Sequence, residues 1–144
     1  MIKMIPLLAI SLSGCVHLSE NRGLHGEFDE YRKSVAESSI VEDYSRFFDE
    51  RLTSSISIDD PSSVAQLEFS KYMEKEIAHY DVIENGKGCL TVNGVGVEGT
   101  PIAFYVEYKM TNKTWLISDV DVSMFENEKE YRNEALCPGQ VRVN

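Results

Sequence analysis

The chain has few basic residues, one tryptophan and no long hydrophobic run. Its 24 acidic and 14 basic side chains give a formal net charge of −10 at pH 7. Nucleic acid and anionic lipid headgroups are therefore poor partners, because binding them requires a surface that neutralises phosphates. The same acidity steers basic proteins towards the chain, so a basic protein is the expected partner. Acidity that serves only solubility is the alternative.

Motifs for catalysis and cofactor binding are also scarce. The chain contains neither Gly-x-Ser-x-Gly nor Cys-x-x-Cys. Residues 94–99 read Gly-x-Gly-x-x-Gly, but Thr100-Pro101 follows and leads into a predicted strand. The dinucleotide fingerprint requires a helix at that point, so these glycines are interpreted as turn and bulge residues. We expect no catalytic residue, no metal site and no cofactor.

Two pairs of titratable residues give weaker signals for chemistry. Asp119 and Asp121 share a strand face, but a hard cation needs about six oxygen ligands and no third carboxylate has a defined spacing. His79 and Asp81 could form a base and the group that orients it. A histidine at a helix end more commonly interacts with the last carbonyls. His25, in a predicted N-terminal tether, lacks the spacing of a metal ligand.

The first 14 residues have the layout of a secretory signal. Lys3 supplies a positive charge, residues 4–12 form an apolar stretch, and small residues follow. That stretch is well short of the roughly 20 residues that a transmembrane helix needs. Residues 1–14 are therefore predicted to be a removable signal peptide.

The next residues resemble the lipobox of bacterial lipoproteins. Leu12-Ser13-Gly14-Cys15 places a branched apolar residue and two small residues before a cysteine. The resemblance implies that Cys15 carries acyl chains such as palmitate, which make the membrane a partner. It also implies a cell-envelope location, and Val16 in place of the inner-membrane retention Asp favours the outer membrane, facing the periplasm. A buried N-terminal strand with a chance cysteine is the alternative.

The remaining cysteines form an even pair. Residues 15–27 are polar and glycine-containing, which predicts a lipidated tether, and one domain is expected over residues 28–144. Once Cys15 carries lipid, Cys89 and Cys137 remain in an oxidising compartment. One intramolecular disulfide is therefore predicted, with two separate thiols as the alternative.

Helical spacing of apolar residues dominates the first half of the chain. The apolar positions between Phe28 and Leu52 face two directions, which predicts a break near Ser38 and Ser39. Asp60-Pro61 predicts the cap and first residue of a further helix. We expect that helix to extend to about His79.

The second half is predicted to be an antiparallel sheet. Residues 80–83 form a first strand, and Asn85-Gly86 and Asn93-Gly94 predict turns. Residues 102–110 alternate as in a strand with one buried face, and residues 111–113 predict a hairpin loop. The following strand has its apolar residues at odd numbers before Ser118 and at even numbers after Asp119. Both groups can face the core only if the strand contains one extra residue, so a bulge near Ser118 and Asp119 is predicted.

These elements predict the α+β class, with N-terminal helices packed on a curved antiparallel sheet of about four strands. The hairpin of residues 104–110 and 115–120 resembles the terminal hairpin of the nuclear transport factor two-like superfamily, with its cone-shaped, cystatin-like fold. The resemblance implies that Phe104, Tyr108 and Trp115 could line a ligand cavity, with core packing as the alternative. It also makes a homodimer through the open sheet face an alternative to a monomer.

Three functions agree with these features. The first is a noncatalytic binding or accessory domain held at the periplasmic face of a membrane. The second is an immunity lipoprotein that neutralises a basic toxin. The third is a small isomerase- or hydratase-like enzyme, because the same cone hosts several unrelated activities.

Overall fold

Four α-helices precede a four-stranded sheet and a short fifth one follows it in the computed structural model, which describes residues 22–142. The helices are α1 (Gly23–Glu37), α2 (Ile40–Phe47), α3 (Glu50–Thr53), α4 (Pro61–Leu67) and α5 (Pro138–Val141). The strands are β1 (Lys75–Glu84), β2 (Lys87–Val95), β3 (Pro101–Thr111) and β4 (Thr114–Met124), antiparallel in that order. The predicted α+β class, with N-terminal helices packed on four antiparallel strands, is confirmed. The signal peptide and lipobox lie outside the described residues.

The first helix begins inside the predicted tether. Leu24 is fully buried and continues the buried stripe of α1, which includes Phe28, Tyr31 and Val35. These positions recur at three- and four-residue intervals and so face the sheet together. Helix α1 therefore includes residues 23–27 of the predicted tether, and Leu24 gives this first turn a core contact.

The end of the helical half differs from its prediction. The break at Ser38 and Ser39 is confirmed, and Asp60 caps α4 by accepting a hydrogen bond from the Ser62 N–H at 3.1 Å. The predicted extension of that helix to His79 is wrong. Helix α4 ends at Leu67, a 3-10 turn follows over Phe69–Tyr72, and β1 begins at Lys75, so His79 lies in a strand.

Of the two predicted glycine turns, one is confirmed. Asn85 and Gly86 connect β1 to β2 with φ angles of 51° and 74°, as a tight hairpin turn requires. Asn93-Gly94 was wrongly predicted as a turn, because both residues lie within β2. Gly94 is required there by close packing, since a Cβ would lie 2.3 Å from the Lys75 carbonyl oxygen.

The bulge in β4 is confirmed at Ser118. Strand β3 pairs Tyr108 with Ile117 and Glu107 with Asp119, so Ser118 is an extra residue in β4. Ile117 consequently faces the core together with the even-numbered Val120 and Val122.

Both faces of the central sheet are covered, although one buried face was expected for β3. Ala103 and Tyr105 are buried on the face opposite the helices. The C-terminal segment, residues 125–142, crosses this face. Its contacts include a hydrogen bond from the Leu136 N–H to Thr91 Oγ1 at 3.0 Å and one from Asn93 Nδ2 to the Arg132 carbonyl at 2.8 Å.

Candidate functional site

A disulfide joins Cys89 to Cys137, which confirms the predicted pairing. The two Cα atoms are 5.0 Å apart and the bridge closes a separation of 48 residues. Cys89 is buried in β2, whereas Cys137 immediately precedes α5. The bond therefore fastens the C-terminal segment to the sheet.

The three predicted ligand-binding aromatics occupy different environments. Phe104 and Tyr108 are buried in the core, and the Phe104 ring lies 6.2 Å from the ring of Phe28. The Tyr108 hydroxyl has no hydrogen-bond partner among residues 22–142, and burial raises the pKa of this phenol. A ligand could reach these two side chains only if the core opened. Trp115 is half-buried and lines a surface cleft.

The Trp115 cleft has a volume of about 540 Å³ and lies between the start of α1, the end of α2 and the β3–β4 hairpin. Its apolar part is formed by Phe47, Ile83, Met110 and Trp115, and its charged part by Arg22, Arg46, Lys113, Glu27 and Glu30. Burial raises the pKa of Glu27, and the nearby Arg22 opposes that shift. The cleft combines an apolar surface with charges of both signs, which suits a side chain or small molecule with a polar end.

A smaller cleft of about 240 Å³ is mainly apolar and lies against β4. Its walls come from the segment that contains α3, from α4 and from the outer strand, and include Phe48, Leu52, Ile56, Leu67, Val120 and Val122. Val120 and Val122 face this cleft because of the bulge at Ser118. The sequence did not predict this cleft, because α3 is a single turn and is too short for its apolar residues to show a helical repeat.

Asp119 and Asp121, the acidic pair of β4, form ion pairs with Arg142. The Arg142 guanidinium donates to both carboxylate oxygens of Asp119 at 3.0 Å and lies 3.9 Å from Asp121. Hydrogen bonding to Asp119 raises the pKa of Arg142. These carboxylates therefore anchor the end of the C-terminal segment to β4.

The second titratable pair belongs to an edge strand, not to a helix end. His79 and Asp81 both lie on β1, opposite Val92 and Leu90 of β2. They therefore share the sheet face on which α1 packs. The predicted interaction of His79 with terminal helix carbonyls is wrong, because α4 ends well before it.

Three residues that sequence reasoning did not combine meet between α1 and β1. His25 Nε2 lies 2.7 Å from Glu76 Oε1, and His79 Nδ1 lies 3.7 Å from the same oxygen. Glu76 and His79 share a face because the β1–β2 register shifts between Glu76 and Ala78, which makes Ile77 a bulge. We call these three residues the histidine cluster.

Sequence reasoning missed this cluster because two of its features are nonlocal. His25 is separated from Glu76 by 51 positions. The alternation rule for strands also places Glu76 and His79 on opposite faces unless the bulge is known. The one available signal was the i, i+4 pair of His25 and Asp29, which marks a polar helix face.

No protein-family model, curated protein or solved structure matches the chain. In the part of the chain that the structure describes, none of the helices combines the length and apolar character needed to cross a bilayer.

Proposed function

We propose that this protein is a lipid-anchored lipoprotein of the cell envelope whose single domain acts as a noncatalytic binding or accessory module. The observation that carries the proposal is the disulfide between Cys89 and Cys137. Such bonds persist in oxidising compartments outside the cytosol. The pairing leaves Cys15 as the third cysteine, in the position of the lipidated residue of a lipobox.

Lipid attachment at Cys15 gives the domain its location. Acyl chains contribute about 0.8 kcal/mol per buried methylene, and two or more chains give stable anchoring. In a Gram-negative envelope, Val16 favours the outer membrane, with the domain facing the periplasm. The domain then acts close to a membrane surface.

The superfamily assignment is part of the same proposal. Helices covering one sheet face and a bulged final strand support the likeness to the nuclear transport factor two-like fold. That fold carries no single function. The binding role is therefore argued from the surface of this chain.

The Trp115 cleft is the proposed binding surface. Aromatic residues and arginine are enriched at the energetic centres of interfaces, and this cleft presents Trp115 and Phe47 beside Arg46. The cleft itself has charges of both signs, so it can pair with acidic and basic groups of a partner. The acidic net charge of the whole chain favours a basic protein as that partner, because opposite net charge accelerates encounter. A basic toxin as that partner would make the protein an immunity lipoprotein, and a resident envelope protein would make it an accessory subunit.

Metabolic labelling tests the anchor. The full chain is expressed in a Gram-negative host supplied with an alkyne-bearing fatty acid, and labelled protein is detected in the membrane fraction. Cys15→Ser is expected to abolish the label and release the protein from membranes, whereas Gly139→Ala, where an added Cβ meets no atom within 4 Å, is the control that keeps the label. An unlabelled wild-type chain, or unchanged fractionation of Cys15→Ser, would refute the proposal.

Photo-crosslinking in intact cells tests the binding surface. A photoreactive amino acid replaces Lys113 at the rim of the cleft, and the control carries it at Val97, which is 63% exposed and does not line the cleft. One discrete product containing a basic protein is expected from position 113. Identical products at both positions, or none at 113, would contradict binding of a protein partner at this cleft.

A further inference from the structure

We propose that the histidine cluster binds one borderline divalent transition-metal ion, for which Zn²⁺ is the probe. One ligand atom from each of His25, Glu76 and His79 lies within 4.8 Å of the others. In a tetrahedral zinc site with bonds of about 2.1 Å, neighbouring ligand atoms are roughly 3.4 Å apart. The contact from His79 Nδ1 to Glu76 Oε1, at 3.7 Å, is close to that spacing. His25 Nε2 and the same oxygen are 2.7 Å apart, a hydrogen-bond distance, so these two atoms must separate by roughly 0.7 Å to share an ion.

The donor set determines the class of ion. Two imidazoles and one carboxylate suit zinc and its transition-metal neighbours, whereas magnesium and calcium prefer shells made of oxygen. The side chain of His79 is 43% exposed, so the remaining coordination position faces solvent. A water molecule can therefore complete the shell.

The residues around the cluster orient its ligands. Asp29 Oδ2 lies 3.5 Å from Nδ1 of His25, the ring nitrogen that does not face Glu76. Arg32 Nη2 lies 2.7 Å from Asp29 Oδ1 and 3.8 Å from Glu76 Oε2. A carboxylate on the outer nitrogen of a ligating histidine fixes its tautomer and raises its basicity. The guanidinium faces the second oxygen of Glu76, so the first is free to point at both imidazoles.

The two imidazoles are stacked, which defines the movement that binding requires. Their ring centroids are 3.5 Å apart and the ring planes differ by 9°. Each nitrogen lone pair lies in the plane of its own ring, and two parallel planes cannot both contain one ion, so a shared ion requires one ring to turn towards Glu76 Oε1. His79 is the ring that can turn, because it is the more exposed of the two.

Metal binding at this place would join two distant parts of the chain. His25 belongs to the first turns of α1, whereas Glu76 and His79 belong to the edge strand β1. An ion that binds the folded state and not the unfolded chain raises the unfolding temperature. The bound ion would therefore hold the start of α1 against the sheet.

Zinc titration of the full chain tests the site. A Cys15→Ser background removes the third thiol, and nonreducing conditions keep Cys89 and Cys137 in their disulfide. Zinc affinity is measured by competition with a chromogenic chelator, and thermal unfolding is followed by circular dichroism. One equivalent of Zn²⁺ is expected to bind and to raise Tm.

Variants at the cluster separate metal binding from ordinary surface histidine chemistry. His79→Ala is expected to lower zinc affinity by at least about tenfold and to remove the Tm increase, since it deletes a ligand. Glu84→Gln on the same strand and His17→Ala outside the described residues are matched controls with unchanged affinity. Circular dichroism of His79→Ala without metal verifies that the variant is folded.

Three results would overturn the proposal. The first is equal zinc affinity in His79→Ala and the parent chain. The second is equally strong binding of Mg²⁺, and the third is no zinc binding, which leaves a simple hydrogen bond between His25 and Glu76. These outcomes are independent of lipid attachment, because every chain in the experiment carries Cys15→Ser.

Discussion

Leu24 of α1 packs directly on the backbone of Gly88 in β2. A Cβ added at Gly88 would lie 2.4 Å from Leu24 Cδ1 and 3.0 Å from Cδ2. The Leu24 side chain is fully buried and so cannot simply swing into solvent. The glycine therefore permits the close approach of the helix to the sheet.

Gly88→Ala is expected to lower the free energy of unfolding by about 1–3 kcal/mol, the usual cost of overpacking a core. Urea unfolding at neutral pH measures the loss. Gly139→Ala is the control with no loss, because a Cβ there meets no atom within 4 Å. A Gly88→Ala variant as stable as wild type would show that α1 can shift away from β2.

Local sequence patterns were sufficient to predict the helix break, the Asn85-Gly86 turn and the bulge at Ser118. Each depends on neighbours in sequence: the direction of an apolar stripe, the positive φ of a tight hairpin, or a change of parity between Ile117 and Val120. The disulfide was predictable because two cysteines permit one bridge. The order of helices before strands then defined the fold class.

Features that depend on tertiary contact were not predictable. The C-terminal segment covers the sheet face that contains Tyr105, which is buried. The sequence of this segment has no apolar periodicity that would predict such packing. Side-chain hydrogen bonds and the disulfide hold the segment on the sheet. Gly94 seemed a turn residue, since only the packing of Lys75 shows why a strand needs glycine there. The histidine cluster requires both the bulge at Ile77 and the packing of α1 on β1.

Breaking the disulfide is expected to destabilise the domain strongly. For a separation of 48 residues, the chain-entropy model gives about 4 kcal/mol. Cys137→Ser should therefore shift the urea midpoint far downwards, and limited proteolysis should cleave first within residues 125–142. Cys15→Ser is the control with an unchanged midpoint. Free thiols at Cys89 and Cys137 in denatured, nonreduced protein would contradict the bridge itself.

Strand β4 is expected to tolerate deletion of Ser118 but not of Asp121. Ser118 is the extra residue of the bulge, so its deletion restores regular alternation and leaves Ile117, Val120 and Val122 on the core face. Deleting Asp121 turns Val122 away from the core, a loss of roughly 1–2 kcal/mol for one partly buried side chain. Urea unfolding of both variants measures the difference, and equal losses would contradict the assignment of Ser118 as the extra residue.

Alkaline pH is expected to destabilise the domain through its buried tyrosines. Burial raises the pKa of the Tyr31 and Tyr108 phenols above the ordinary value of about 10. Above that pH the unfolded chain releases these protons while the folded chain retains them, so the free energy of unfolding falls as pH rises. Below about pH 10 both the folded and the unfolded chain keep these protons, so these two tyrosines leave the free energy of unfolding unchanged there. In urea unfolding between pH 8 and 11, Tyr108→Phe should show a shallower fall, and an identical fall would contradict the assignment.

The same two tyrosines differ in what their hydroxyls do. The Tyr31 hydroxyl donates to the Leu67 carbonyl at 2.7 Å and accepts from the Ser70 N–H at 3.4 Å, both buried backbone groups. Tyr31→Phe leaves these groups unsatisfied, so a loss of about 1–3 kcal/mol is expected in urea unfolding. The Tyr108 hydroxyl finds no such partner between residues 22 and 142, so Tyr108→Phe should be neutral or stabilising by about 1 kcal/mol. Equal destabilisation by both substitutions would mean that a buried water satisfies Tyr108.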